Sequence, residues 1–431
     1  MRARLRPLAL LVLVAALAGA PPSKADVLSI QDGRPFLDGK PFVELSFNKF
    51  DLFWQLYDLA KAGKPLDGGD PMVQAQDRAL AELAGMGLKT IRLFGMPWGN
   101  WDFASNWADP EKKEKVFFAA VNKALDLCEK NGIRAVYSLA AHEFYDRALV
   151  KGKWELGEEH NRELLRDPGS RSRKRLDAFL DEFIPRIKDR RAILMWEIGN
   201  EATLAADIGD DKENIRNGHR QPTLKDVSDF YRDVSARIKR LDPLRLVNNG
   251  GSYMRESQWH RYTEKSWKLD TFEDQVKCFE LLFKGTGVDF IDIHSYPNHR
   301  PGYTIAGPDG GETILDHSGY MEIARRIGKP LMIGELGALP QLRKNKKIWD
   351  AAPDYFESWT EVEQAKKWVQ RAVDGVVEAG VPLVYWWAYS SDRAMDQKAV
   401  DRMDLAKGRN DEILAILLDG NRRLKAKLGA P

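Results

Sequence analysis

Two glutamates stand where this chain could do chemistry: Glu201 at the end of MWEIGNE and Glu335 inside LMIGELG. Each follows a short apolar run that reads as a buried parallel strand, so one sheet would deliver both carboxylates to the same end. Paired carboxylates on neighbouring strand ends are the arrangement that cuts glycosidic bonds.

The elements that must position them can be read from the same sequence. Apolar strand runs occur at Phe42 to Phe47, Thr90 to Phe94, Arg134 to Leu139, Ile193 to Ile198, Arg245 to Asn248, Phe290 to His294, Leu331 to Gly334 and Leu383 to Trp387. Helical patterns lie between them, among them Lys115 to Lys130, Leu176 to Lys188, Leu224 to Leu241 and Val362 to Glu378, with a last helix near Ile413 to Leu428. Eight such units predict a (β/α)8 TIM barrel. Before them, Asp32-Gly33 and Asp38-Gly39 mark turns of a small N-terminal β-hairpin closing the barrel bottom. Returns from helix to strand are short, as at Asn131-Gly132 and Gly328-Lys329-Pro330, whereas most strand-to-helix loops are long and rich in Trp, His, Asp and Gly. That asymmetry is expected when one face is scaffold and the other holds the site.

With these residues in order, the chain resembles a glycoside hydrolase of clan A, most similar to family 5, a family of retaining barrel enzymes acting on β-linked polysaccharides. The resemblance pairs Asn200-Glu201 with the Asn-Glu that ends strand four, and Glu335 with the Glu of strand seven. It also assigns Arg92 at the end of strand two, His142 after strand three, His294-Ser295-Tyr296 on strand six, and either Trp387 or Trp386 on strand eight. The Trp assignment stays open because adjacent strand residues face opposite ways. The resemblance implies Glu335 as nucleophile and Glu201 as acid/base, with Arg92 and Tyr296 holding Glu335 ionised. Asn200 would hydrogen-bond the sugar 2-hydroxyl, and His142 and His294 would orient carboxylates and hydroxyls.

Plainer roles compete for several of these residues. Strand-end carboxylates and Arg92 can form structural ion pairs, and the histidines can be satisfied barrel residues. Glu197, four positions before Glu201, is expected to be structural, deeper in the barrel or outside it. Trp54, Trp98, Trp101, Trp107, Trp259 and Trp267 could line a sugar-binding cleft as a group, although each alone is ordinary packing. No metal is expected: His294, His299 and His317 lack ligand spacing, and the acidic segment 207–213 reads as a solvated charge run before a calcium loop. No cofactor motif is present, since no Gly-rich phosphate loop follows a strand.

Composition narrows the classes further. The chain has 431 residues, 43% hydrophobic and 30% charged, as an ordinary globular protein does. Residues 1–25 combine a basic start, an apolar run from Leu8 to Ala18 and small residues ending in Ser23-Lys24-Ala25, which reads as a secretory signal peptide. Residues 26–431 are then expected to form a single catalytic domain, secreted or periplasmic. Without Arg2, Arg4, Arg6 and Lys24 the formal charge passes from +2 to −2, a balance that suits neither nucleic acid nor an anionic membrane. Cys128 and Cys278 fall on helices on opposite sides of the barrel and are expected to stay unpaired. The expected function is hydrolysis of a β-linked polysaccharide or oligosaccharide, endo-β-1,4-mannan or endo-β-glucan first. Exo action, transglycosylation, and a carbohydrate-binding protein without turnover are the alternatives.

Overall fold

The computed structural model describes residues 27–95, 103–139, 147–150, 153–156, 163–202, 215–216, 219–220, 222–252, 254–296, 303–337, 362–391, 405–408 and 411–431. The expected signal peptide, His142, Trp98, Trp101, His299 and the acidic segment 207–213 lie outside the described residues.

Eight parallel strands form one sheet: β1 (Glu44–Asn48), β2 (Thr90–Phe94), β3 (Arg134–Ser138), β4 (Ile193–Glu197), β5 (Val247–Asn248), β6 (Ile291–Ser295), β7 (Leu331–Leu336) and β8 (Leu383–Trp386). Their order is β5-β4-β3-β2-β1-β8-β7-β6, and a parallel bridge from Asn248 to Phe290 joins the two ends into a barrel. The expected TIM barrel is the fold. Helices cover the sheet because their apolar faces repeat at helical spacing. Arg171–Ile187, for instance, buries Leu176, Phe179, Leu180, Phe183, Ile184 and Ile187. The expected return turns follow, with Gly328 at φ 80° ending the helix His317–Ile327 in a conformation that other residues adopt at a cost.

The predicted N-terminal hairpin is a three-stranded antiparallel sheet, Leu28–Gln31, Arg34–Leu37 and Lys40–Pro41. Both turn signals act, Asp32-Gly33 and Asp38-Gly39 all lying at positive φ, so two hairpins form where one is expected. Leu28, Leu37 and Phe42 close the barrel floor against Val136, Leu194, Met195, Phe290, Met332, Leu383 and Tyr385. Above this floor the inward positions turn polar. Glu44, Ser46, Asn48, Thr90, Arg92, Ser138, Glu197, Asn248, Asp292 and His294 are all buried. Such groups are tolerated only when paired, and the pairing builds the site.

The long loops carry their own elements, among them the hairpin of Tyr303–Ala306 with Glu312–Leu315. Cys128 and Cys278 are buried and are not joined by a disulfide, as expected. No helix among the described residues is long and apolar enough to cross a membrane.

Candidate active site

Strand ends set the site. β4 stops at Glu197, and the following turn carries Asn200 and Glu201, so Glu201 sits just beyond its strand. Its backbone is left-handed (φ 53°), unusual for a residue with a side chain, and is held by a hydrogen bond from its N–H to the Gly250 carbonyl at 2.6 Å. Gly250 (φ 61°) permits that approach, because a Cβ there would lie 2.3 Å from the Gly199 carbonyl oxygen. Glu335 reaches the same space from within β7. The pairing with β6 slips between Ile293/Ile333 and His294/Glu335, leaving Gly334 as an extra residue, and this bulge brings Glu335 level with His294.

The carboxylates meet around His294. Its Nδ1 lies 2.9 Å from Glu201 Oε1 and 3.5 Å from Glu335 Oε2, and ligand atoms of the three side chains all fall within 4.8 Å of one another. Tyr296 donates its hydroxyl to Glu335 Oε2 at 2.6 Å, and Arg92 Nη1 donates to Glu335 Oε1 at 2.9 Å. The structure thus brings Arg92, Asn200, Glu201, His294, Tyr296 and Glu335 together.

Arg92 is the hub. Its fully buried guanidinium spends all five N–H groups: Nε and Nη2 on Glu197 (2.6 and 2.7 Å), Nη1 on Asn48 and Glu335 (both 2.9 Å), and Nη2 on Asn200 (2.8 Å). Glu197 therefore points into the barrel and is the bidentate partner that fixes Arg92. Burial alone would raise its carboxyl, yet Arg92 more than offsets this and holds it below the usual range. Asn200 Oδ1 is committed to Arg92, so only its amide N–H groups can donate to another partner.

Asn48, Glu197 and Asp292 are the site residues that sequence reasoning passed over or read as structural. The available signal was a polar residue at an inward position near the C-terminal end of an apolar strand.

The two tryptophans separate. Trp386 is fully buried in the layer between strands and helices, whereas Trp387 is half-buried, stacks on Phe50 (5.2 Å) and meets Phe94 edge-on (5.7 Å). Phe94 in turn lies 4.7 Å from the Arg92 guanidinium, so Trp387 is the one beside the site. Replacing Trp387 by Ala is expected to cut kcat/KM by about tenfold with little change in stability, consistent with the loss of roughly 1 kcal/mol of aromatic contact. Trp386→Ala is expected to cost about 3–5 kcal/mol in urea unfolding instead. Similar effects from both would sink this division. Of the other tryptophans, Trp107 packs against Phe117, Phe118 and Phe179 and is not a cleft residue. Trp54 stacks on Phe50, Trp259 packs on the core, and Trp267 is 70% exposed.

Two buried protons shape the pH response. Burial would lower His294, but Glu335 and Glu201 outweigh it and lift the imidazole to about 9. Burial pushes the Asp292 carboxyl up to about 8, with Glu197 adding to the rise. His294 contributes stability that is complete below its ordinary value of 6.5 and lost as pH rises through 9. Asp292 favours the folded state in its neutral form, an advantage that fades from its ordinary 3.8 up to 8. Both slopes have one sign, so unfolding free energy is expected to fall between pH 6.5 and 8 by up to about 1.4 kcal/mol per pH unit for each proton held. Urea midpoints that stay level or rise from pH 6 to 9 would contradict it. Glu201, His294 and Glu335 also have the spacing to surround a cation, but the Arg92 guanidinium and a protonated His294 oppose positive charge there.

No family model matches the chain. Over 268 residues, 61% of its length, it is 25% identical to a probable mannan endo-1,4-beta-mannosidase C of Aspergillus terreus, and it spans 58% of that relative. Among solved structures, a glycoside hydrolase family 5 mannosidase from Rhizomucor miehei aligns at 15% identity with a TM-score of 0.61, over 95% of this chain and 100% of that one. An endo-beta-1,4-mannanase from Thermotoga petrophila aligns at 15% identity and a TM-score of 0.55, over 90% and 78%. An exo-beta-1,4-mannosidase from an Opitutaceae bacterium does so at 15% and 0.52, over 92% and 63%. The resemblance to glycoside hydrolase family 5 holds, and the proteins that carry it are mannosidases and mannanases.

Proposed function

We propose that this chain is an exported retaining hydrolase of β-1,4-mannan. The observation that carries the reading is the pair Glu201 and Glu335, with carboxylate oxygens within 4.8 Å and a shared contact to His294 Nδ1. Carboxylates this close suit a covalent intermediate, whereas inversion needs them about 6.5–9.5 Å apart to hold a water.

Each group has a part. Arg92 and Tyr296 bond both oxygens of Glu335 and aim it at the anomeric carbon. His294 holds Glu201 at Oε1, and Glu201 gives its proton to the departing sugar. Glu201, more open to the cleft than Glu335 (side chains 27% against 8% exposed), then takes a proton from water as the glycosyl-enzyme is hydrolysed. Trp387 offers an apolar face to the sugar ring. The choice of mannan over glucan leans on the names of the similar proteins, and export on the features of residues 1–25.

Hydrolysis of β-mannan, β-glucan, cellulose and xylan, with products resolved by chain length and anomeric form, tests the proposal. Cleavage of mannan to short oligosaccharides that first appear as the β-anomer is expected. Products first appearing as the α-anomer would overturn retention, and absence of mannan cleavage would overturn the substrate.

A further inference from the structure

The Gly334 bulge turns Glu335 into the barrel, yet a bulge releases a peptide from the strand ladder and leaves its N–H and C=O to be satisfied elsewhere. Here each finds a side chain from a different strand. The Gly334 N–H donates to Asp292 Oδ1 on β6 at 2.5 Å, and Asn48 Nδ2 on β1 donates to the Gly334 carbonyl at 2.9 Å. Space is committed as well as hydrogen bonds, since a Cβ on Gly334 would lie 2.4 Å from Asp292 Oδ2. Asp292 is itself anchored by Asn249, the residue after the short β5. Its N–H donates to Asn249 Oδ1 at 2.7 Å, and Asn249 Nδ2 donates to its carbonyl at 3.1 Å.

We propose that Asp292 and Asn48 clamp the bulged Gly334 peptide and thereby set where the Glu335 carboxylate sits, which makes Asp292 a positioning residue. This rests on the reading of Glu335 as nucleophile. The clamp differs from the hydrogen bonds that Arg92 and Tyr296 make to the carboxylate, because it acts on the backbone one residue earlier. Asn48 joins the two systems, its Oδ1 accepting from Arg92 Nη1 at 2.9 Å. Asp292 acts through an acceptor oxygen and needs no charge. Among the described residues its Oδ2 has no partner, which suits a neutral acid better than an ion, and burial lifts the group to about 8. A neutral amide of the same shape should replace it, and an apolar side chain of the same shape should not.

The test compares wild type with D292N, which keeps the acceptor, and D292L, which keeps the shape and removes it; D292A replaces D292L if the leucine does not fold. Two measurements are made on each. Hydrogen exchange over residues 331–337 reads the clamp without reference to activity. The rate at which an activated 2-deoxy-2-fluoro-β-mannosyl fluoride labels Glu335, whose oxygen forms the bond to the anomeric carbon as fluoride leaves, reads the nucleophile. D292L is expected to speed exchange in this segment about tenfold and to slow labelling about 10- to 100-fold, with reagent affinity within about threefold, as for a displaced reacting group. D292N is expected to stay within about threefold of wild type in both. Unchanged exchange and labelling in D292L, or equal losses in D292N and D292L, would overturn the clamp. A wild type that labels elsewhere or not at all would overturn Glu335 as nucleophile, and the exchange data would still decide the clamp.

Discussion

Glu335→Ala is expected to lower kcat on mannan by roughly 10⁴-fold or more while leaving the fold intact, because no other carboxylate among the described residues faces Glu201 across the site. The variant removes the attacking oxygen and also the acceptor of Arg92 Nη1 and the Tyr296 hydroxyl, so its melting temperature should be checked alongside. Added azide or formate, small enough to enter the vacated space, should restore part of the rate and yield a product of inverted configuration. Glu201→Ala should differ in kind. A general acid contributes about 10²- to 10⁴-fold, and its share shrinks when the leaving group needs no proton. The variant should therefore fail on mannan, release a nitrophenol leaving group in an initial burst, and then stall as glycosyl-enzyme. If the two variants lost equal activity on both substrate types, the separate roles of Glu201 and Glu335 would have to be abandoned.

The barrel was legible because each strand is a short apolar run and each return turn carries its own signal. Helix Leu224–Leu241 falls where its periodicity puts it, and Thr90–Phe94 where its apolar run does. The carboxylate pair was legible for a similar reason, since a glutamate at the end of an apolar strand conflicts with its surroundings. What escaped was the register inside the strands. Alternation alone cannot announce the slip at Gly334, which brings Glu335 round to His294. It does put Glu197 two residues from Met195 and Asp292 two from His294, on the same inward faces. Whether an inward acid is a support or a stray is decided by partners on other strands, Arg92 for Glu197 and Gly334 for Asp292, 105 and 42 residues away in the chain. The split between Trp386 and Trp387 needed the same knowledge, because nothing in the dipeptide says which ring faces inward.

Glu197 is where that hidden layer has its largest expected effect. It shares a fully buried ion pair with Arg92 through two hydrogen bonds, and it holds the guanidinium from below while Asn48, Asn200 and Glu335 take the remaining N–H groups. Removing one partner of a buried pair leaves the other charge unpaired, which costs about 3–5 kcal/mol. Glu197→Ala should therefore lower the urea midpoint by that equivalent. It should also reduce kcat far more than KM, because a freed Arg92 no longer presents Nη1 to Glu335 and Nη2 to Asn200 at fixed positions. Glu197→Gln preserves shape and one acceptor but sets its amide N–H against an Arg92 N–H, so it should recover only part of the stability and part of the rate. With Glu197 neutral, the Arg92 charge falls more heavily on Glu335, which ties down the nucleophile's carboxylate and lowers its readiness to attack. Glu197→Gln with wild-type kcat would mean that Glu197 supports the fold and has no hold on the chemistry.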